Sequence, residues 1–234
     1  MDIKNYFFLI VLHISCISAL SQVSSNTTSP SKKTVYLLPD GRVFEIDKLD
    51  SLNNAWGQGR VALSHSKEDD AKGIVHLVRI TDEMLRKGKD INDSIQAAMI
   101  NKPAPGFELA DLRGKQWSLK KLRGKIVVLN FWFTTCTPCI REMPELNELV
   151  RKYDSSNVVF LGLTFNNAKQ VSTFLKERNF SYTLLPGSQE IDKKYQVSSW
   201  PTSIVIDRNG IMKMMIHSDP KIREKLEAVI NSIQ

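Results

Sequence analysis

Two cysteines stand three positions apart in "FWFTTCTPCIREMP" (131–144), directly after an apolar run and directly before a helical pattern. Such a pair can bind metal, brace a fold, or exchange disulfides. A structural zinc site takes four ligands, commonly two such pairs or one pair with two histidines. This chain has no second pair, and His217 is the only histidine after the motif. A bridge across so short a loop removes little chain entropy and braces poorly. Position favours exchange instead. At a strand's end and a helix's start, unpaired N–H groups and the helix dipole favour a thiolate at Cys136, the attacking species in exchange. Cys139, one turn later, can attack the mixed disulfide that Cys136 forms, while Pro138 removes a backbone donor and stiffens the loop. No metal and no cofactor is expected.

The elements that must position this pair are legible around it. "KIVVLNFWF" (125–133) is nearly continuous β-branched, aliphatic and aromatic, the pattern of a strand covered on both faces. After Pro138 the period becomes helical, with Ile140, Met143, Leu146, Leu149, Val150 and Tyr153 along one face and Pro144 expected to kink it. Glu142, Glu145 and Glu148 precede Arg151 and Lys152, an order that complements the dipole. "NVVFLGLTF" (157–165) reads as a second buried strand, "NAKQVSTFLKERN" as a helix and "SQEIDKKYQV" as a short one. "SSWPTSIVIDRNGIMKMMIH" (198–217) reads as a hairpin turning at Arg208-Asn209-Gly210. In "SDPKIREKLEAVINSI", Asp219 is expected to cap and Pro220 to open a final helix. Upstream, "FELADLRGKQWSL" reads as two strands joined at Arg113-Gly114. The order β-β-α-β-α-β-α-(α)-β-β-α, with short extra helices, implies one α/β sheet carrying helices on both faces.

A boundary is expected at "NKPAPGF" (101–107). Residues 34–101 read as a small α+β region of unassigned role. It holds a Pro-Asp-Gly hairpin in "TVYLLPDGRVFEID", a short helix in "KLDSLNNAW", a strand in "GIVHLVRIT" and a helix after it. His65 and His76 read as ordinary surface or core residues. Residues 22–33, "QVSSNTTSPSKK", are polar and read as a flexible tether. Residues 1–21 have the layout of a secretory signal, with an apolar stretch from Tyr6 to Leu12 too short to span a bilayer. Cys16 in "HISC" partly resembles a bacterial lipobox, so it is either a lipidation site or part of a discarded signal. The chain is therefore expected outside the cytoplasm, in the periplasm or cell envelope, membrane-bound only through such an anchor. A mid-sized exported chain with one close cysteine pair points to chemistry rather than bracing. The 234 residues carry a formal net charge of +7, but the lysines and arginines are scattered. The compact basic stripe of a nucleic-acid binder is missing.

Three segments together, "PAPGFELADLRGKQWSLKKLRGK", "NFWFTTCTPCIREMP" and "SSWPTSIVIDRNG", resemble the TlpA/ResA-type thiol–disulfide oxidoreductases of the thioredoxin superfamily, with an AhpC/TSA-like opening segment. The resemblance covers 102–234. It implies a thioredoxin-like fold, a central mixed sheet flanked by helices with an extra N-terminal hairpin. It implies a redox disulfide Cys136–Cys139 and a cis Pro201. It also implies that Trp200 and Pro201 face the cysteines and bind a substrate strand. The implied partners are extracytoplasmic protein disulfides or dithiols and an upstream membrane or periplasmic electron donor. Reduction of client disulfides is the expected direction. Three departures stand out. Thr135 occupies the place where most relatives carry tryptophan, so the first cysteine loses an apolar shield. Asn130 takes the place of the buried aspartate of classical thioredoxins. Glu142 matches an acidic position common in this branch and either tunes the cysteines or is a plain exposed glutamate. Two rival readings remain. A peroxiredoxin-like peroxidase needs Pro-x-x-x-Thr-x-x-Cys, and neither cysteine has threonine three places before it. The other rival is a non-catalytic binding protein on a thioredoxin-like frame.

Overall fold

The computed structural model describes residues 34–57, 60–64 and 66–234. The expected signal (1–21), the tether (22–33), Cys16 and His65 lie outside the described residues. The chain divides into two compact units between Asp90 and Ile91.

The first unit contains β1 (Val35–Leu37), β2 (Val43–Phe44), α1 (Leu49–Trp56), β3 (Val61–Ser64), α2 (Lys67–Lys72) and β4 (Ile74–Arg79). Its sheet order is β2-β1-β4-β3, with β1 parallel to β4 and the other pairs antiparallel. Gly41 supplies the positive φ of the β1–β2 turn, where Leu38 and Arg42 close the backbone. The strand β3 and helix α2 were not anticipated from sequence. Four residues, "VALS", give too short an alternation to separate a strand from a loop. His76 lies on β4, its Nε2 3.5 Å from Asp69. Helix α3 (Asp82–Met99) carries the dividing point within it, whereas the sequence boundary at 101 falls just past its end.

The second unit continues through β5 (Glu108–Ala110), β6 (Gln116–Ser118), β7 (Ile126–Trp132), α4 (Thr137–Lys152), β8 (Val158–Thr164), α5 (Ala168–Phe174), β9 (Thr183–Pro186), α6 (Gln189–Lys194), β10 (Thr202–Ile206), β11 (Met212–His217) and α7 (Ile222–Ser232). Its central sheet runs β11-β10-β7-β8-β9. Strands β7, β8 and β9 are parallel, while β10 is antiparallel to both β7 and β11. This is the mixed sheet that the resemblance implies, and β5–β6 forms the separate added hairpin. Segment 101–104 is tied to the β11 end of the sheet. Asn101 N donates to the Met212 carbonyl, Met212 N to Lys102 and Ala104 N to Gly210.

Every residue of β7 and β8 is buried, as their unbroken apolar runs require. Alternation sends Ile126, Val128 and Trp132 to the face covered by α4 and α7, where Leu146, Leu149, Leu226 and Ile230 are fully buried. Val127, Leu129 and Phe131 face the opposite layer, built from the end of α3, the β5–β6 region and α6. Burying each such side chain contributes about 1.5–3 kcal/mol, which fixes α4, and hence its first turn, against the end of β7.

The sequence reading needs two corrections here. Strand β9 was missed, because "SYTLLPG" is brief and ends in proline; as an edge strand it tolerates Pro186 where no further ladder partner is needed. Helix α7 begins at Ile222, later than Pro220, with Lys221 as N-cap and no side-chain cap. Asp219 instead accepts from Lys221 N through Oδ1 at 2.8 Å and from Ile222 N through its carbonyl. Pro144 sits within α4 without ending it; it removes one rung of the i→i−4 ladder.

Candidate functional site

The strand β7 ends at Trp132, and four residues later Cys136 becomes the N-cap of α4. Its backbone N–H donates to the Phe133 carbonyl at 3.1 Å, closing the connection tightly. Its Sγ accepts the Cys139 backbone N–H at 3.2 Å. An N-cap normally offers a side-chain oxygen to these orphan donors; here a sulfur takes the place. The first turn of α4 carries no acid, so no carboxylate within that turn offsets the positive end of the dipole at Cys136. Cys136 and Cys139 are joined, with Cα atoms 5.2 Å apart, well inside the range for a disulfide. Pro138 lies between them, partly exposed, in the first turn.

The loop before the pair is anchored from β8. The Asn166 Oδ1 accepts from Thr134 N at 2.8 Å and from Thr164 Oγ1 at 3.1 Å. Its neighbour Asn167 caps α5 in a capping box with Gln170. Sequence reasoning missed Asn166; the signal was there in the Asn-Asn pair that follows a buried strand.

Thr135 is exposed, as its polar side chain permits, yet Cys136 is only 3% exposed. Both cysteines lie in a buried apolar cluster, and three aromatic rings group at it. Phe133, Phe165 and Trp200 pack mutually, with centroids 5.3, 5.9 and 5.7 Å apart; Phe133 belongs to the cluster that contains both cysteines, and Phe165 and Trp200 pack against it. Losing an apolar residue at 135 therefore does not leave the sulfur open, which corrects the expectation of a missing shield.

Trp200 and Pro201 connect α6 to β10. Their peptide bond is cis, Pro201 is buried and the Trp200 indole N–H is buried without a partner. Ser199 and Thr202, on either side of this pair, both approach His217 Nδ1, at 2.9 and 2.8 Å. Burial holds the His217 pKa below the usual histidine value, with Asp93 opposing that effect.

Asn130 lies in β7 on the face shared by Val128 and Trp132, and is 1% exposed. Its amide donates to Ser203 Oγ across the β7–β10 pair at 3.0 Å, so it is a satisfied buried polar group. Glu142 is not an exposed helix-start glutamate: it is 8% exposed and follows Cys139 by one turn on the buried face of α4. Its Oε1 accepts from Ser218 Oγ and Asp219 N, both at 3.0 Å, while Oε2 is buried with no partner. Burial raises its pKa above the ordinary glutamate value, against the lowering effect of these two hydrogen bonds. Tyr182, buried in the same cluster, is pushed upward by burial and by the Glu142 charge. Among the described residues no three His, Cys, Asp or Glu side chains converge as a metal site, and no helix is long and apolar enough to cross a membrane.

The family model described as AhpC/TSA matches residues 100–215. Over 136 residues the chain is 38% identical to the thiol-disulfide oxidoreductase ResA of Bacillus thuringiensis subsp. konkukian, covering 57% of this chain and 78% of that relative. Over 128 residues it is 33% identical to the thioredoxin-like protein YneN of Bacillus subtilis, covering 53% and 74%. Among solved structures it is similar to a thiol:disulfide interchange protein of the thioredoxin family from Chlorobium tepidum. The TM-score is 0.51 and the identity 24%, with 57% of this chain and 96% of that one covered; this likeness concerns the fold.

Proposed function

The chain belongs to the ResA-type thiol–disulfide oxidoreductases, and from that premise we propose that it reduces disulfides of extracytoplasmic proteins through Cys136 and Cys139. The observation that carries this reading is a sulfur at the N-cap of α4, receiving a backbone N–H and joined to its neighbour one turn along. In the reduced protein the Cys136 thiolate attacks one sulfur of the client disulfide and expels the other as a thiolate, which takes up a proton. Cys139, deprotonated, then attacks Cys136 Sγ and releases the second client sulfur. Two electrons pass to the client, and the protein is left with the Cys136–Cys139 bond seen in the structure. An external dithiol donor in the membrane or periplasm must restore the pair.

Trp200 and Pro201 form the edge against which a client strand lies, with the Trp200 backbone as its pairing partner. Their support is packing: Trp200 joins Phe133 and Phe165 in one aromatic group beside the cysteines. Glu142 tunes the pair as a buried carboxyl one turn below Cys139, and Asn130 and Pro138 shape the same floor and loop. Export by residues 1–21 places the protein in the periplasm or cell envelope, with Cys16 either lipidated or discarded. A peroxidase reading gains nothing from the site, because Phe133 and Cys136, not threonine, stand three places before the two cysteines.

The test is turnover of a disulfide-bonded reporter peptide by wild type, Cys136→Ser and Cys139→Ser. Wild type reduces the peptide, Cys136→Ser does not, and Cys139→Ser accumulates a mixed disulfide through Cys136. Equal rates for wild type and Cys136→Ser would contradict the proposal.

A further inference from the structure

The loop proposed to receive the client strand is held from one direction by a histidine outside the motif. Ser199 and Thr202 bracket Trp200–Pro201, and both hydroxyls meet His217 Nδ1, at 2.9 and 2.8 Å. The Thr202 hydroxyl also donates to the Ser199 carbonyl at 2.7 Å. A threonine hydroxyl has one proton, and here it goes to that carbonyl. Toward His217 the Thr202 oxygen can therefore only accept, and the proton between them must sit on Nδ1. With Nδ1 bare, two lone pairs would face each other at 2.8 Å. The ring keeps this N–H whether neutral or protonated, since a second proton would go to Nε2. His217 thus acts as a fixed donor rather than as a charge. The sheet supports the arrangement: Thr202, fully buried, pairs with His217 on β11 and with Phe131 on β7. The Ser199 side of the loop has no strand to hold it. The Ser199 hydroxyl and carbonyl are tied to the sheet through the imidazole and Thr202.

We propose that His217 is a positioning residue that fixes the Ser199–Thr202 loop in the geometry that pairs with a client strand; this rests on the reading of Trp200–Pro201 as the client edge. A structural role alone would lower stability and touch all reactions alike. Positioning separates substrates, because a small dithiol reaches Cys136 without pairing to Trp200, whereas a peptide needs that edge.

The experiment uses the full chain as wild type, His217→Ala, His217→Asn and His217→Gln. The asparagine amide reaches the place of Nδ1 and restores the donor; the glutamine amide reaches that of Nε2 and does not. For a disulfide-bonded peptide, KM is expected to rise about five- to tenfold in the Ala and Gln variants, the effect of one to two lost hydrogen bonds. Reduction of the Cys136–Cys139 bond by dithiothreitol is expected to stay within about twofold, and Asn to bring KM back near wild type. The inference is overturned if KM is unchanged in Ala and Gln, if dithiothreitol reduction falls as far as peptide turnover does, or if Asn behaves like Gln. Should His217→Ala fail to fold, the Asn–Gln contrast decides alone. A wild type that dithiothreitol reduces but that leaves the peptide intact would overturn the client-edge reading itself.

Discussion

Replacing Glu142 with glutamine tests whether the fold holds a carboxyl above its ordinary pKa beneath the redox pair. Burial is the main cause of the rise, opposed by the N–H of Asp219 and the hydroxyl of Ser218. A carboxyl with a higher pKa folded than unfolded binds its proton more tightly in the native state. Its contribution to stability is therefore greatest below the ordinary glutamate value. It is lost as pH rises through the window up to the raised value and stays lost above it. Each pH unit of that window corresponds to about 1.36 kcal/mol. Glutamine keeps an acceptor for both donors and has no proton to release, so its unfolding free energy lacks this slope. From about pH 4 to about pH 8, the gap between Glu142→Gln and wild type should widen in the variant's favour, by that amount for each unit of the window. Glu142→Ala removes the acceptor and leaves a part-buried N–H unsatisfied. It should cost about 1–3 kcal/mol even at the acid end, where the wild-type carboxyl is neutral. Urea unfolding of the oxidised protein at intervals across the range measures both. A gap that is flat with pH, or that moves in favour of wild type, would refute the reasoning.

Two further outcomes follow from buried sites elsewhere in the second unit. Burial lifts the Asp192 pKa from 3.8 to about 6 although Ser188 Oγ donates to it at 2.7 Å. Asp192→Asn should therefore gain about 3 kcal/mol above about pH 6 and nothing below the ordinary aspartate value; urea midpoints that show no such pH-dependent gain would contradict it. At Gly162 an added Cβ would meet Leu184 Cδ2 at 2.7 Å and Trp132 Nε1 at 3.2 Å. Both neighbours are buried, so Gly162→Ala should destabilise by about 1–3 kcal/mol, and an unchanged thermal midpoint would mean that the Trp132 region is loosely packed.

What could be read in the sequence was whatever one local pattern decides. The runs at 126–132 and 158–164 carry enough apolar residues to demand burial on both faces, and Cys136 falls where the first of them gives way to a helix. Gly41, Gly114 and Gly210 each mark a turn by a backbone conformation that other residues seldom adopt. The strands β3 and β9 were hidden because four residues carry too little periodicity, and their pairing is decided by β4 and β8. The start of α7 depended on where Asp219 turned its donors and acceptors, which composition does not report. Within the site, the cysteines were plain, but the groups that cover and hold them were not. Thr135 is exposed, yet Cys136 is buried in a cluster against which the distant Phe165 and Trp200 pack. Asn166 and His217 act on residues 32 and 15 to 18 positions away, and a single asparagine or histidine looks the same in sequence whether or not anything reaches it.

The account stands on Cys136 reacting as an ionised sulfur at the start of α4. Its most direct test is the pH dependence of iodoacetamide alkylation in the reduced protein, with the modified cysteine identified by mass spectrometry. Cys136 should be labelled first, with a midpoint below the value of about 8.5 for a free cysteine, while Cys139, one turn further into the helix, lags. A Cys136 that titrates at or above that value, or a Cys139 that reacts ahead of it, would contradict the account.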